Sequence, residues 1–329
     1  MKKIIFIILV SCFLLTGCNK YSESSIIKNI EDKLSKSNGY MLSGELSINN
    51  NDENYDYDVD VYYKKKDYYK VILTNKQNSH TQVILKNKDG VYVLTPLLNK
   101  SFKFQSDWPS NSQVYLINTL IDDINNDSKR KFIKNDEEYI FNTKVKYSNN
   151  SKLNRQKIIL DNKLNFKRVV VYNKDGIEVM NMKFNKIDYS YKFKKDEFSL
   201  DSIIKDEEVE NVESSGVLED IIYPLYIPNG TKLVNEEKVK KDNGERVIMN
   251  YDGDKSFVLV EETIDVMDEF TVIPTMGEPY LLMDTLGVMN ENSLSWTSGG
   301  IDYYLISDVM TQSELVEVAQ SISGIVSMK

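Results

Sequence analysis

Between Tyr55 and Tyr63 every second residue is apolar (Tyr55, Tyr57, Val59, Val61 and Tyr63), and Asp56, Asp58 and Asp60 stand between them. A side-chain period of two specifies a strand with one face on a core and the other in water. Tyr40, Leu42, Leu46 and Ile48 alternate with Ser43, Glu45 and Ser47 in the same way. Further strands are predicted at 67–74, 81–87, 91–95, 101–104, 138–147, 156–161, 167–172 and 177–189. Asp89-Gly90 and Asp175-Gly176 are hairpin signals that need a positive φ. Nearly all the strands are joined by short loops, so the sheet is predicted to be antiparallel. Its inward face is rich in Tyr and Val, and Tyr55, Tyr57, Val59 and Val61 form the candidate apolar sheet face. Such a face either packs against helices or lines an apolar pocket; the pattern leaves both open.

Two helices are available to cover the sheet. Ile26, Ile27, Ile30 and Leu34 share one stripe at helical spacing, with Ser24 or Ser25 as cap and Asn38-Gly39 as stop. Val114, Ile117, Leu120, Ile121 and Ile124 predict a second helix over 110–124. Residues 201–216 are acidic and poor in apolar side chains, the expected linker. Beyond it, the prolines of Tyr223-Pro224-Leu225-Tyr226-Ile227-Pro228 exclude a regular helix. Strands are predicted at 232–240, 245–250 and 256–263, with a turn at Asp252-Gly253, and the alternation is weaker over 276–287. A hairpin across Ser298-Gly299-Gly300 joins 293–297 to 301–307. Ser313 is placed to cap a last helix with Leu315, Val316, Val318, Ala319 and Ile322 on one face. The expected class is α+β: a curved antiparallel sheet with covering helices, then a smaller α+β domain.

The N-terminal end directs the chain to a membrane. Lys2 and Lys3 precede an apolar run from Ile4 to Leu15, too short to span a bilayer comfortably as a mature helix. This is the layout of a secretory signal. Leu15-Thr16-Gly17-Cys18 resembles a bacterial lipobox. The resemblance implies cleavage before Cys18 and diacylglycerol on its sulfur, a stable two-chain anchor at the outer face of the cytoplasmic membrane. The expected organisation is signal peptide 1–17, lipidated anchor 18–23, first domain 24–200, linker 201–216 and second domain 217–329. Cys12, the only other cysteine, falls in the discarded signal, so no disulfide is available. The Lys, Asn and Ile bias is associated with a low-GC Gram-positive host.

Charge divides the chain as well. Residues 19–200 hold 31 Lys+Arg against 24 Asp+Glu, a net of +7. Residues 201–329 hold 8 against 26, a net of −18. The positive half lies nearest the anchor, where it suits anionic headgroups or teichoic-type polymers, or serves solubility alone.

Catalytic chemistry finds little to work with. His80 is the one histidine, no HExxH occurs, and no Gly-x-Ser-x-Gly elbow is present. Asp56-x-Asp58-x-Asp60 lacks the glycine and the terminal glutamate of a calcium loop. The pairs Asp122-Asp123 and Glu261-Glu262 do not converge by any argument from spacing. Tyr62-Tyr63-Lys64-Lys65-Lys66 mixes aromatic and basic residues, but a place outside the membrane argues against nucleic acid. The expectation is a protein that is not an enzyme, with no catalytic residues, no metal and no cofactor.

Residues 24–200 resemble the LolA-like lipoprotein-carrier fold, an incomplete β-barrel with a helical lid. The likeness rests on Leu160-Asp161-Asn162-Lys163-Leu164-Asn165-Phe166, Val169 to Gly176, Phe184-Asn185-Lys186-Ile187 and Asp196-Glu197-Phe198. The second domain is similar to a DUF4367-type domain through Trp296-x-x-x-Gly300-x-x-Tyr303-x-Leu305 and Ser313-Glu314-Leu315-x-x-Val318-Ala319-x-Ser321-Ile322. The combination resembles the YdcC-like and GerS-related sporulation and germination lipoproteins of Gram-positive bacteria. That resemblance implies an envelope protein, on the cytoplasmic, forespore or spore membrane, whose partner is a cell-wall amidase or another envelope protein. Lipid or lipoprotein handling, with an acyl-chain ligand in an apolar cavity, and envelope stress sensing are the alternatives. The lid-holding early arginine of the carriers has no counterpart, since the first arginine is Arg130.

Overall fold

The computed structural model describes residues 21–206 except 51–52, 107, 110–112 and 148–149, and residues 218 and 220–327 except 243 and 266–268. The expected signal segment and Cys18 lie outside the described residues. Helix α1 (Glu23–Lys36) is followed by β1 (Gly39–Asn50), β2 (Glu53–Lys64), β3 (Tyr68–Asn75), β4 (Thr81–Asn87), β5 (Gly90–Thr95) and β6 (Lys100–Phe104). Helix α2 (Ile117–Asn126) precedes β7 (Lys131–Lys134), β8 (Glu138–Lys144), β9 (Leu153–Asp161), β10 (Phe166–Asn173), β11 (Glu178–Asp188) and α3 (Leu200–Asp206). Then come β12 (Thr231–Lys241), β13 (Gly244–Gly253), β14 (Phe257–Thr263), β15 (Thr271–Thr275), β16 (Glu278–Leu281), β17 (Leu286–Met289), β18 (Ser293–Ser298), β19 (Ile301–Ile306) and α4 (Gln312–Ser327).

The strands form two sheets. The large one runs β15-β6-β5-β4-β3-β2-β1-β11-β10-β9-β8-β7, and its end strands do not pair, so the barrel stays open. Every pairing in it is antiparallel except β15 with β6. The small sheet runs β12-β13-β14-β19-β18-β17-β16. This is the α+β incomplete barrel expected, with a smaller α+β unit after it.

The alternation in β2 becomes a buried face. Tyr55, Tyr57, Val59 and Val61 join one core with Leu42, Leu46 and Ile48 of β1 and Val71 and Leu73 of β3. Ile26, Ile27 and Ile30 of α1 and Ile117, Leu120, Ile121 and Ile124 of α2 cover it. The other side of β3–β5 is also covered. Val83, Leu85, Tyr92 and Leu94 pack under Phe198 and Ile203, carried by the strap that follows β11. Lys70 forms a buried ion pair with Glu197 there, its ammonium 4.2 Å from the centre of the Tyr62 ring.

Several expectations are corrected. Ser22, not Ser24 or Ser25, caps α1, its Oγ accepting from Ser25 N at 3.2 Å. Helix α2 starts at Ile117 instead of Ser110; its N-cap residue, Leu116, offers no side-chain acceptor, and the distant Tyr40 hydroxyl accepts from Ile117 N at 3.2 Å instead. Val114 still reaches the core, but from a turn. Strands β7 and β15 and helix α3 carry no prediction; α3 occupies the beginning of the acidic stretch at 201–206, and 207–216 lies outside the described residues. Ser313 does not cap α4. Thr311 does, in a capping box: its Oγ1 accepts from Glu314 N at 3.3 Å, and Glu314 Oε2 accepts from Thr311 N at 2.7 Å. The Ser313 hydroxyl instead accepts from Ser151 N at 2.9 Å, tying α4 to the large-sheet part.

Candidate functional site

The candidate apolar face lies inside the molecule. Tyr55 and Tyr57 are 2% exposed, Val59 1% and Val61 0%. What completes their burial comes from far along the chain, because Met283, Leu286 and Val288 belong to the same core. Tyr57 Oη donates to the Met283 carbonyl at 2.8 Å. Burial, with a contribution from Asp284, pushes the Tyr57 phenol well above its ordinary range and keeps it a donor. On β4, Gln82 Oε1 accepts from Leu286 N at 2.6 Å and from Thr285 Oγ1 at 3.2 Å. A cavity of about 40 Å³ remains beside Trp108, Tyr115, Tyr147 and Tyr280. That space suits about one water and falls far short of the roughly 300 Å³ at which ligand pockets begin. The concave side is packed around Tyr55, Tyr57, Val59 and Val61, and a separate, more open hollow of about 530 Å³ lies by Leu153, Val179 and Met283.

The sequence carried one signal for this filling. Leu286-Gly287-Val288-Met289 is apolar at successive positions, and all four residues are buried. A run without alternation marks a strand covered on both faces. Two more contacts join the parts. Strand β15 adds to the large sheet alongside β6, and Pro274 is tolerated because β15 is an edge. Lys100 on β6 pairs with Asp302 on β19 at 3.4 Å, both side chains nearly buried. Thr297 Oγ1 donates to Asp302 Oδ1 at 2.5 Å. Burial raises the Asp302 carboxyl, and Lys100 pulls it back down.

Glu261 on β14 is fully buried, and both its oxygens lie near Ile222 N at 3.2 and 3.1 Å. Burial pushes its carboxyl up to about 7, opposed by the Ile222 hydrogen bond and helped by Glu236. No Lys or Arg pairs with it among the described residues. This carboxyl fastens the extended segment that enters the small sheet.

The other sequence candidates do not converge. His80 is exposed beside β4. Asp56, Asp58 and Asp60 lie on the outer face of β2, where Ser47 Oγ donates to Asp56 at 2.5 Å and Lys76 pairs with Asp58 at 3.4 Å. Among the described residues no group of three His, Cys, Asp or Glu side chains is arranged to hold a metal. No helix among them is long and apolar enough to cross a membrane.

Exposed apolar groups gather on the outside of the small sheet. Leu225 is 77% exposed, and Tyr223, Tyr226 and Ile227 beside it are exposed as well, while Pro224 between them is buried. Beside it, β12 is an edge strand exposed on both faces, with Val234 uncovered. Tyr223 Oη donates to Glu236 of β12 at 2.6 Å, so the run and the edge form one surface.

The class the fold defines is an open, helix-lined antiparallel sheet with a packed interior, followed by a smaller sheet with an exposed apolar rim. Sporulation protein YdcC of Bacillus subtilis (strain 168) is 34% identical over 320 residues, 96% of this chain and 95% of that protein. The chain belongs to the YdcC family of sporulation proteins. No family model matches it. Among solved structures, LolA superfamily protein NE2245 from Nitrosomonas europaea is 11% identical, with 55% of this chain and 99% of that chain covered at a TM-score of 0.32. A chain of the CwlD amidase complex with the GerS lipoprotein, from Clostridioides difficile, is 16% identical over 54% of this chain and 100% of that chain, at a TM-score of 0.22.

Proposed function

We propose that this protein is a membrane-anchored, non-enzymatic lipoprotein of the cell envelope that acts in sporulation by binding a protein partner, of the cell-wall amidase kind. The observation that carries the reading is the match to a sporulation protein across both sheets. The segment ending in Leu15-Thr16-Gly17-Cys18 supports diacylglycerol on Cys18 and a place on the outer face of the cytoplasmic membrane or a spore membrane. The packed concave side supports contact through the exterior, and Tyr223 to Ile227 with the β12 edge is the surface offered. The GerS lipoprotein, found in complex with the CwlD amidase, has the type of partner meant here. In this reading residues 24–200 form the carrier-like body, and 217–329 a DUF4367-like unit locked onto it.

The test is a pulldown from detergent-solubilised sporulating cells, with mass spectrometry of what is retained. A wall amidase held by the native chain and lost with Leu225→Asp is expected. Retention of no envelope protein by a folded, lipidated chain would refute the partner. A fatty-acid probe that labels the native chain and spares Cys18→Ala is expected for the anchor.

A further inference from the structure

The outer face of β7–β10 differs from the rest of the large sheet. Pairing aligns Ile133 of β7 with Ile140 of β8 and Ile159 of β9, a row of aliphatic side chains on the side away from the core. Ile133 is 49% exposed. The rows on one side of it are basic: Lys131, Asn142 and Lys157 form one, and Lys144 and Arg155 the next; on the other side Glu138 stands opposite Asp161. Arg155 lies 5.7 Å from the centre of the Tyr172 ring. The carboxylates nearby are largely engaged, Glu138 with Lys167 at 3.0 Å and Glu178 with Arg168 at 3.2 Å. Asp136 and Glu137 stand at the tip of the β7–β8 hairpin, beyond the aliphatic row. Lys131, Lys144, Arg155 and Lys157 have no ion-pair partner among the described residues. Across the same outer surface, on β1 and β2, the exposed groups turn acidic with Glu45, Asp56, Asp58 and Asp60.

The chain enters at this end of the sheet. Lys134 Nζ of β7 donates to the Tyr21 carbonyl at 3.0 Å, and Arg130 pairs with Glu23 at 2.7 Å. Cys18 stands three residues before Tyr21, a reach of about 10 Å at full extension. A lipid on Cys18 therefore holds the bilayer against the β7 edge, not against the acidic strands.

We propose that the outer face of β7–β10 docks on an anionic phospholipid surface, with Ile133 entering the headgroup region and Lys131, Lys144, Arg155 and Lys157 on phosphates. Lysine and arginine near such a surface are attracted to its negative potential, and an apolar side chain among them adds burial. The acidic flank of β1 and β2 is repelled, so the body takes one orientation and turns the small sheet outward. The orientation rests on the proposed lipid at Cys18; the affinity of the face does not.

The test separates the two. The chain from residue 19 onward keeps every described element and carries no lipid. It is mixed with vesicles of pure phosphatidylcholine, or of phosphatidylcholine with one-third phosphatidylglycerol, and sedimented. Binding to the anionic vesicles alone, weakened by salt, is expected. Each neutralised cation should cost roughly fivefold in partition coefficient, so Lys131→Gln/Arg155→Gln/Lys157→Gln should lose about a hundredfold while Lys232→Gln, on β12, changes nothing. Ile133→Ser should lose several-fold with an unchanged circular dichroism spectrum. No binding, equal binding to both vesicles, or an unchanged triple variant overturns the proposal. Full binding by Ile133→Ser overturns it too, and points to a soluble polyanion such as a wall polymer. Loss of fatty-acid labelling in cells, with vesicle binding intact, would count against Cys18 alone.

Discussion

The hydroxyl of Tyr57, on the second strand of the large sheet, donates to the backbone carbonyl of Met283, more than two hundred residues later, at 2.8 Å. This bond sits where the late segment 281–288 plugs the concave side. Tyr57→Phe keeps the ring and removes the donor, leaving a buried carbonyl unpaired. A loss of about 1–3 kcal/mol is expected, read as a lower urea midpoint with an unchanged slope.

The Lys100–Asp302 pair makes a second link between the sheets, and its burial decides what substitution does. Lys100→Met strands a buried carboxylate and should cost about 3–5 kcal/mol. Lys100→Met/Asp302→Leu removes both charges and should recover most of that loss. A double variant no better than the single would show that the charge is not what matters.

Glu261 makes stability depend on pH. Its folded carboxyl titrates near 7, above its ordinary value of 4.5. The folded chain thus holds a proton that the unfolded chain releases. The resulting stabilisation is complete below about pH 4.5 and fades as pH rises through 7, by about 3 kcal/mol over the window. Glu261→Gln should flatten this slope, so its melting temperature should overtake that of the native chain by pH 8. Parallel melting curves from pH 5 to 8 would contradict the assignment.

The capping box at α4 is a smaller effect with a clean reading. Thr311→Ala removes the acceptor for Glu314 N and should cost about 1 kcal/mol. Thr311→Ser should restore it. Ser313→Ala leaves the cap intact and loosens only the contact to Ser151. Thermal melts of the three variants distinguish these roles.

Much of the body was legible before any fold was known. Alternation located β1 and β2, because a pleated strand repeats every two residues whatever it packs against, and strands were expected at β3 to β6 and β8 to β11 as well. The stripes of α1 and α4 were readable for the same local reason, though their caps were not. Ser22 against Ser24 or Ser25, and Thr311 against Ser313, are choices among adjacent hydroxyls that backbone geometry settles.

The sequence by itself determined an antiparallel sheet with a Tyr- and Val-rich face and a charge division near residue 200. The tertiary structure alone decided what that face meets. Thr271 to Thr275 pairs with a strand some 170 residues earlier, and Met283 to Val288 fills the concavity that the first half leaves. Periodicity records which side of a strand is apolar, not which distant segment will cover it. That choice depends on closing a long loop against the burial gained, a balance no local pattern contains.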